Sequence, residues 1–349
     1  MKRISKRAFA APLMAVVTWC PVWAGVLVHF AVSGTAGGAP AQAPRPEFPH
    51  VVIQNKILKA TVYLPDAQKG FYRGTRFDWS GMIAQAEFKG HTFFGELKAP
   101  HDPVIHDHTV GPCEEFGMFT PLGYREAAAG DTFIKIGIGH LRRSQNEKEY
   151  SFGRPYEIAR PGSWDLDKGQ DRIGFRQTIS DPRGWGYAYE KKVVLEESAP
   201  TMKMIHTLKN TGTRPIETDH YNHSMYIIDG EPIGKNYRLH FPFTSTGEIR
   251  NKQQAALRDK QLVFLQDQLE GAFWMEVKGY GETAQDNCVV VENILNGVRL
   301  KMAVDRPLSK CCVYAEKTSV CPEPFVAVRI APGETLTWTT TLEFIVPEK

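Results

Sequence analysis

The chain has 349 residues, 23% of them charged and 42% hydrophobic, with a net charge of +3. This is an ordinary globular composition, which excludes a disordered or fibrous chain. Basic residues are dispersed apart from Lys2, Arg3, Lys6 and Arg7, so there is no electrostatic footprint for nucleic acid.

Those four basic residues open a segment that reads as a targeting signal. The stretch from Ala8 to Val32 is mostly apolar, and Ala41-Gln42-Ala43 offers a small-residue cleavage site. Residues 1–43 are expected to be a signal peptide or N-terminal anchor plus linker, with Pro12, Pro21 and His29 interrupting the apolar run. The folded part is then expected to be periplasmic or secreted, touching a membrane only if the leader stays uncleaved. Beyond it lie Cys113, Cys288, Cys311, Cys312 and Cys321, enough for one or two disulfides. Cys311 and Cys312 are adjacent, so on a strand they point to opposite faces. No Cys-x-x-Cys spacing occurs, which disfavours a structural zinc knuckle.

Residues 44–349 read as one domain, a large antiparallel β-sandwich. Short β-rich runs bounded by turn residues fall at 51–53, 58–64, 82–88, 132–138, 172–179, 187–195 and 202–208. They continue at 224–228, 262–264, 273–277, 289–291, 298–304, 311–315, 325–330 and 336–345. Met202, Met204, His206 and Leu208 share one face, as do Leu336, Trp338, Leu342 and Phe344. That period of two suits half-buried antiparallel strands. Only residues 251–261 look helical, and strands do not alternate with long helices, which disfavours a parallel α/β sheet.

Three stretches carry chemistry or a likeness. The first joins an alternating strand to the turn Asn210-Thr211-Gly212 and then to a strand bearing His220 and Asn222-His223-Ser224. The second is Tyr314-Ala315-Glu316-Lys317-Thr318, and the third is Pro332-Gly333-Glu334-Thr335 with its Thr-rich strand. In this order they resemble the galactose mutarotase-like superfamily, the aldose 1-epimerases and their relatives. There the corresponding segments read Asn-His-Ser-Tyr-Phe, Leu-Glu-Thr and Pro-Gly-Glu. The likeness covers the C-terminal half; the N-terminal half matches by strand pattern.

The resemblance implies a β-supersandwich with a sugar site on its concave face, His223 as general acid and Glu316 as general base. Such a pair opens and recloses a hemiacetal: the base takes the anomeric hydroxyl proton while the acid protonates the ring oxygen. The expected activity is that of an aldose 1-epimerase-like isomerase acting on a small-molecule sugar or a glycan end, with no cofactor and no metal. A glycan lyase or glycosidase-like enzyme and a non-catalytic carbohydrate-binding protein are the alternatives. The family's early Leu-His-Gly segment has no counterpart here; His106, His108, Glu114 and Glu115 are the nearest residues.

Arg73, Arg76 and Asp78 are candidates to bond sugar hydroxyls, and Trp79 to stack on a pyranose face. His108, Glu115 and Trp185 complete the expected substrate-binding set, with Trp164 as a further aromatic. His106 and His108 have a spacing that metal ligands use, but His220 and His223, three apart on a strand, would face opposite sides. Asn222-His223-Ser224 fits a glycosylation sequon but is placed inside the sheet.

Overall fold

The computed structural model describes residues 45–146 and 148–348. The leader expected over residues 1–43 lies outside the described residues. Among these residues the regular structure is strand, with two short 3-10 turns at Ile228–Gly230 and Ala284–Asp286.

A ten-stranded sheet runs from Ala255–Arg258 at one edge to Asp165–Lys168 at the other. Its centre is built by Val298–Val304, Thr335–Ile345, Thr201–Asn210 and Gly186–Leu195, paired antiparallel in that order. A five-stranded sheet follows the order Phe273–Glu276, Lys310–Glu316, Ser319–Ile330, Ile216–Asn222, Glu114–Phe116. Smaller sheets of four and three strands hold residues 50–92 and 132–161.

Alternation is what packs the two large sheets. In Thr201–Asn210 every second residue, from Met202 to Asn210, is buried. Its partner strand matches it, placing Met204 opposite Thr340, His206 opposite Trp338 and Leu208 opposite Leu336. From the five-stranded sheet, Phe116, Ile216, Val326 and Val328 pack into the same cluster as Leu208, Tyr189 and Trp338. Met275, Val313, Ala315 and Val320 likewise pack with Met202, Met204, Leu342 and Phe344. Each buried side chain of this kind contributes on the order of 1.5–3 kcal/mol.

Three expectations are corrected. Residues 251–261 are a turn leading into the antiparallel pair Ala255–Arg258 and Gln261–Phe264, with Asp259 at φ 53° in the tight connection. Sheet pairing with Tyr237–His240 overrides the helix-favouring composition. The strand expected at 224–228 lies earlier, at Ile216–Asn222; the chain then turns through Asp229 and Gly230, both at positive φ. His223 is therefore the first residue past a strand end. The one or two disulfides that the sequence allowed are not formed among the described residues, whose five cysteines are free thiols. Cys311 faces the inter-sheet core while Cys312 packs with Tyr221 and Phe325 on the other side.

Gly111 sets the approach to the Glu114–Phe116 strand. Its φ is +50°, and a Cβ there would lie 1.8 Å from the Ile83 carbonyl oxygen. Gly111→Ala is expected to cost more than about 2 kcal/mol, since left-handed strain and a backbone clash add. Thermal unfolding checks this, and an unchanged midpoint would contradict it.

Candidate functional site

The strand Glu114–Phe116 carries two consecutive buried carboxylates, and strand geometry sends them opposite ways. Glu115 faces away from the ten-stranded sheet, together with Tyr221, which it opposes in register. His223, Glu323, Tyr314 and Glu316 belong to this same outer face. Tyr314 stands opposite Cys321 and Cys312 opposite Glu323, so every second residue of the two strands lines it.

Arg76 descends onto this face from the loop that follows Phe71. Its Nε donates to Glu115 Oε2 at 3.0 Å and its Nη2 to the Tyr221 hydroxyl at 2.9 Å. Its Nη1 donates to Asp107, which also meets His106 Nε2 at 3.1 Å. The guanidinium is held between the rings of Phe77 and Phe152, 4.5 and 4.4 Å from their centroids. Such stacking suits the planar guanidinium. Lys135 Nζ takes the other oxygen of Glu115 at 2.7 Å and is anchored by Gly117 O and the Tyr150 hydroxyl, each at 3.0 Å. Asp107, beside Arg76 and His106 and a third exposed, titrates far below the usual carboxylate range despite the opposing effect of burial.

Under this lid His223 Nε2 lies 3.1 Å from Glu323 Oε1. The backbone N–H of His223 is held by Cys113 O at 2.8 Å, and its ring lies edge-on to Phe77. Burial pushes the Glu323 carboxyl up to about 8. Burial, with Arg76 adding to it, pushes His223 down to about 3. At neutral pH the pair is thus a carboxylic acid and a neutral imidazole holding one proton between them. The Glu323 O–H faces Nε2, the ring proton sits on Nδ1, and Nδ1 has no hydrogen-bond partner among the described residues.

The pair has a pH signature. A carboxyl whose folded pKa is raised stabilises the fold fully below its unfolded value, and that contribution is lost as pH rises through the folded value. An imidazole whose folded pKa is lowered acts oppositely, destabilising the fold as pH falls below its unfolded value. The two slopes offset each other between the unfolded values of 4.5 and 6.5. Stability is therefore expected to fall by about 2 kcal/mol between pH 6.5 and about 8. Urea unfolding across this window checks it, and a flat profile would contradict the assignment.

Glu316 sits at the rim. Its oxygens lie 2.5 and 2.6 Å from Lys98 Nζ, and the Tyr314 hydroxyl donates to it. The Tyr314 ring is 5.8 Å from that of His223, so it stands between the rim carboxylate and the buried pair. Glu316 and Lys98 border an open cavity of about 910 Å³ closed on its far side by residues 266–272.

No protein-family model matches this sequence, and no curated protein matches it either. Solved structures do. The galactose mutarotase related enzyme from Lactobacillus acidophilus superposes with a TM-score of 0.55 at 12% identity, covering 85% of this chain and 97% of that one. The GalM/aldose epimerase homologue from C. elegans gives 0.55 at 13% identity, covering 86% and 100%. A galactose mutarotase-like protein from Lactobacillus casei gives 0.51 at 10% identity, covering 85% and 100%. The chain has the galactose mutarotase-like fold.

In this mutarotase-like chain the carboxylate touching His223 is Glu323, while Glu316 lies at the rim of the same face. Glu316 ends its strand just before the turn at 317–318, which carries it to the rim, whereas Glu323 lies further along the neighbouring strand. Arg76 and Glu115 do join the face, but Glu115 is fully buried with both oxygens engaged, so it supports Arg76 and Lys135 rather than facing a ligand. Asp78 points between the sheets, accepting from Ser80 and from the Tyr189 hydroxyl. Trp79 is a core residue whose Nε1 donates to Gly74 O. Arg73 has a buried Nε without a partner among the described residues. The ring of His108 accepts the Asp102 backbone N–H within its own loop.

Trp185 lines a groove of about 940 Å³ bordered by Phe119, Tyr150 and Arg214. Trp164 packs against Phe175 and Tyr189. The aromatic platform expected of a glycan-binding groove is therefore not assembled from Trp79, Trp164 and Trp185. His220 and His223 do face opposite sides, His220 meeting Trp338 and His206 in the core. The sequon asparagine Asn222 is buried.

Sequence reasoning passed over Glu323, Tyr221, Asp107 and Lys135. The available signal was Cys-Pro-Glu-Pro-Phe at 321–325, a charged residue in step with apolar neighbours of period two. Prolines argue against an inner strand. Here they are tolerated because Ile216–Asn222 pairs only with the part of the strand beyond Pro324.

Proposed function

We propose that this protein is an aldose 1-epimerase-like isomerase that opens and recloses the hemiacetal of a free or terminal aldose. The observation that carries this reading is the one-proton Glu323–His223 pair, set behind Tyr314 on the face that also presents Glu316 at an open cavity. The fold supports it, since the structures it resembles include a galactose mutarotase related enzyme and a GalM/aldose epimerase homologue.

In the reaction Glu316, as carboxylate, removes the proton from the anomeric hydroxyl. The C1=O bond forms as C1–O5 breaks, and O5 takes the Nδ1 proton of His223, which the sugar reaches only with Tyr314 displaced from between the cavity and the buried ring. Glu323 hands its proton to Nε2 at the same time, so the imidazole stays neutral and the charge rests on Glu323 near Arg76. Rotation about C1–C2 presents the other face of the aldehyde, and the transfers reverse. A buried acid with a raised pKa and a rim carboxylate beside Lys98 are suited to trading protons near neutral pH. The basic, apolar leader with its small-residue site at 41–43 supports export of the enzyme.

The test is proton NMR of freshly dissolved α-glucose and α-galactose with the leaderless protein and its Glu316→Gln variant. Wild type is expected to accelerate exchange between anomers, and the variant to lose at least ~100-fold while retaining sugar affinity. Exchange unchanged by the substitution would remove Glu316 from the mechanism.

A further inference from the structure

Between the two large sheets a second polar cluster lies behind the outer face. Glu114, His206 and His220, on three different strands, bring a carboxylate oxygen and an imidazole nitrogen from each histidine within 4.8 Å of one another. None of the three residues is more than 1% exposed. His206 Nδ1 is 3.0 Å from the Tyr189 hydroxyl, which itself donates to Asp78 Oδ2 at 3.0 Å. The single phenolic proton is therefore committed, its oxygen accepts the Nδ1–H, and Nε2 is left with an open lone pair. That Nε2 faces Glu114 Oε1 at 3.2 Å, and His220 Nε2 lies 3.9 Å from the same oxygen. Neither Nε2 has a hydrogen-bond partner among the described residues. Buried acceptors that face one another need a positive charge between them.

We propose that Glu114, His206 and His220 bind one divalent transition-metal ion of the zinc class. Two neutral imidazoles and a carboxylate are a donor set zinc takes, with one position left open. At metal–ligand distances of about 2.0–2.2 Å, tetrahedral ligand atoms stand about 3.3 Å apart. The spacings of 3.2 and 3.9 Å to Glu114 Oε1, within a set of ligand atoms spread over 4.8 Å, call for an inward movement of up to about 1.5 Å to reach that geometry. The chain Asp78–Tyr189–His206 is the outer support that orients a metal-binding imidazole. Asn222 Nδ2 donates to Glu114 Oε1 at 2.7 Å, and Lys191 Nζ takes Oε2 at 2.5 Å. The carboxylate is thereby turned so that one lone pair of Oε1 meets the histidines. The ion ties strands of both large sheets together directly behind Glu115. Lys191 is its competitor: with His206 protonated, the same residues form a metal-free ion network.

The test uses the folded protein expressed with zinc, dialysed, and measured by metal analysis, and then stripped with chelator and titrated with Co²⁺. The expected results are stoichiometric zinc, the visible absorption of tetrahedral Co²⁺, and a thermal midpoint that falls on stripping and returns with Zn²⁺. His220→Ala is expected to lose the Co²⁺ spectrum, and a His106→Ala/His108→Ala double variant in the surface loop to keep it. Substoichiometric metal with a midpoint indifferent to chelator and Zn²⁺ would overturn the proposal in favour of the ion network. So would loss of the spectrum in the loop variant. If His220→Ala does not fold, the wild-type stoichiometry and midpoint still decide. None of these readouts depends on sugar turnover.

Discussion

Glu323→Gln is expected to lower the rate of anomer exchange by at least ~100-fold, with sugar affinity nearly unchanged. Glutamine fills the same space and can still donate to His223 Nε2, 3.1 Å away in the wild type, but it has no proton to release. The variant therefore separates proton relay from packing. Stability carries a second signature. Above pH 8 the wild type bears a buried carboxylate raised by burial to about 8, and glutamine does not. Glu323→Gln should then melt higher than wild type by a margin that grows as pH rises from about 4.5 to about 8 and closes below about pH 4.5. Turnover that survives the substitution would move the acid elsewhere. A midpoint that drops at every pH would mark Glu323 as a packing residue only.

Glu115→Ala should be the most damaging single change to the fold, at about 3–5 kcal/mol. Glu115 is fully buried, and its oxygens are engaged by Arg76 and Tyr221 on one side and Lys135 on the other. Removing it leaves two cations in a dry site with one carboxylate fewer. Arg76 retains Asp107 at the surface, but Lys135 keeps only the Gly117 carbonyl and the Tyr150 hydroxyl. Denaturant unfolding reads this as a lower midpoint, or as failure to accumulate folded protein. Glu115→Gln, which preserves shape, should lose less. A cost under about 1 kcal/mol for the alanine variant would mean that water reaches Lys135 and replaces the carboxylate.

Much of the frame was legible because period-two alternation is a direct consequence of strand geometry. Met202 to Leu208 and Trp338 to Phe344 read as inward faces and are inward faces. The opposite facings of Cys311 and Cys312 follow from the same rule. The site was less legible, because it is made between strands. Glu323 was hidden by prolines that usually mark the end of a strand. Asp107 and Lys135 enter from loops and a small sheet whose placement no local pattern encodes. His206 stood in plain view as a polar residue on an apolar face, which was itself a signal. Asp78 and Trp79 were drawn to the sugar site by composition, yet the irregular loop that carries them sent Asp78 inward while Arg76, two residues earlier, turned outward.

The most direct test of the central claim is the rate of anomer exchange for a free aldose, measured by polarimetry from about pH 5 to about pH 9.5. Exchange is expected well above the spontaneous rate, with a falling limb near pH 8 as Glu323 loses its proton. No acceleration at any pH, with any of a panel of aldoses, would contradict it.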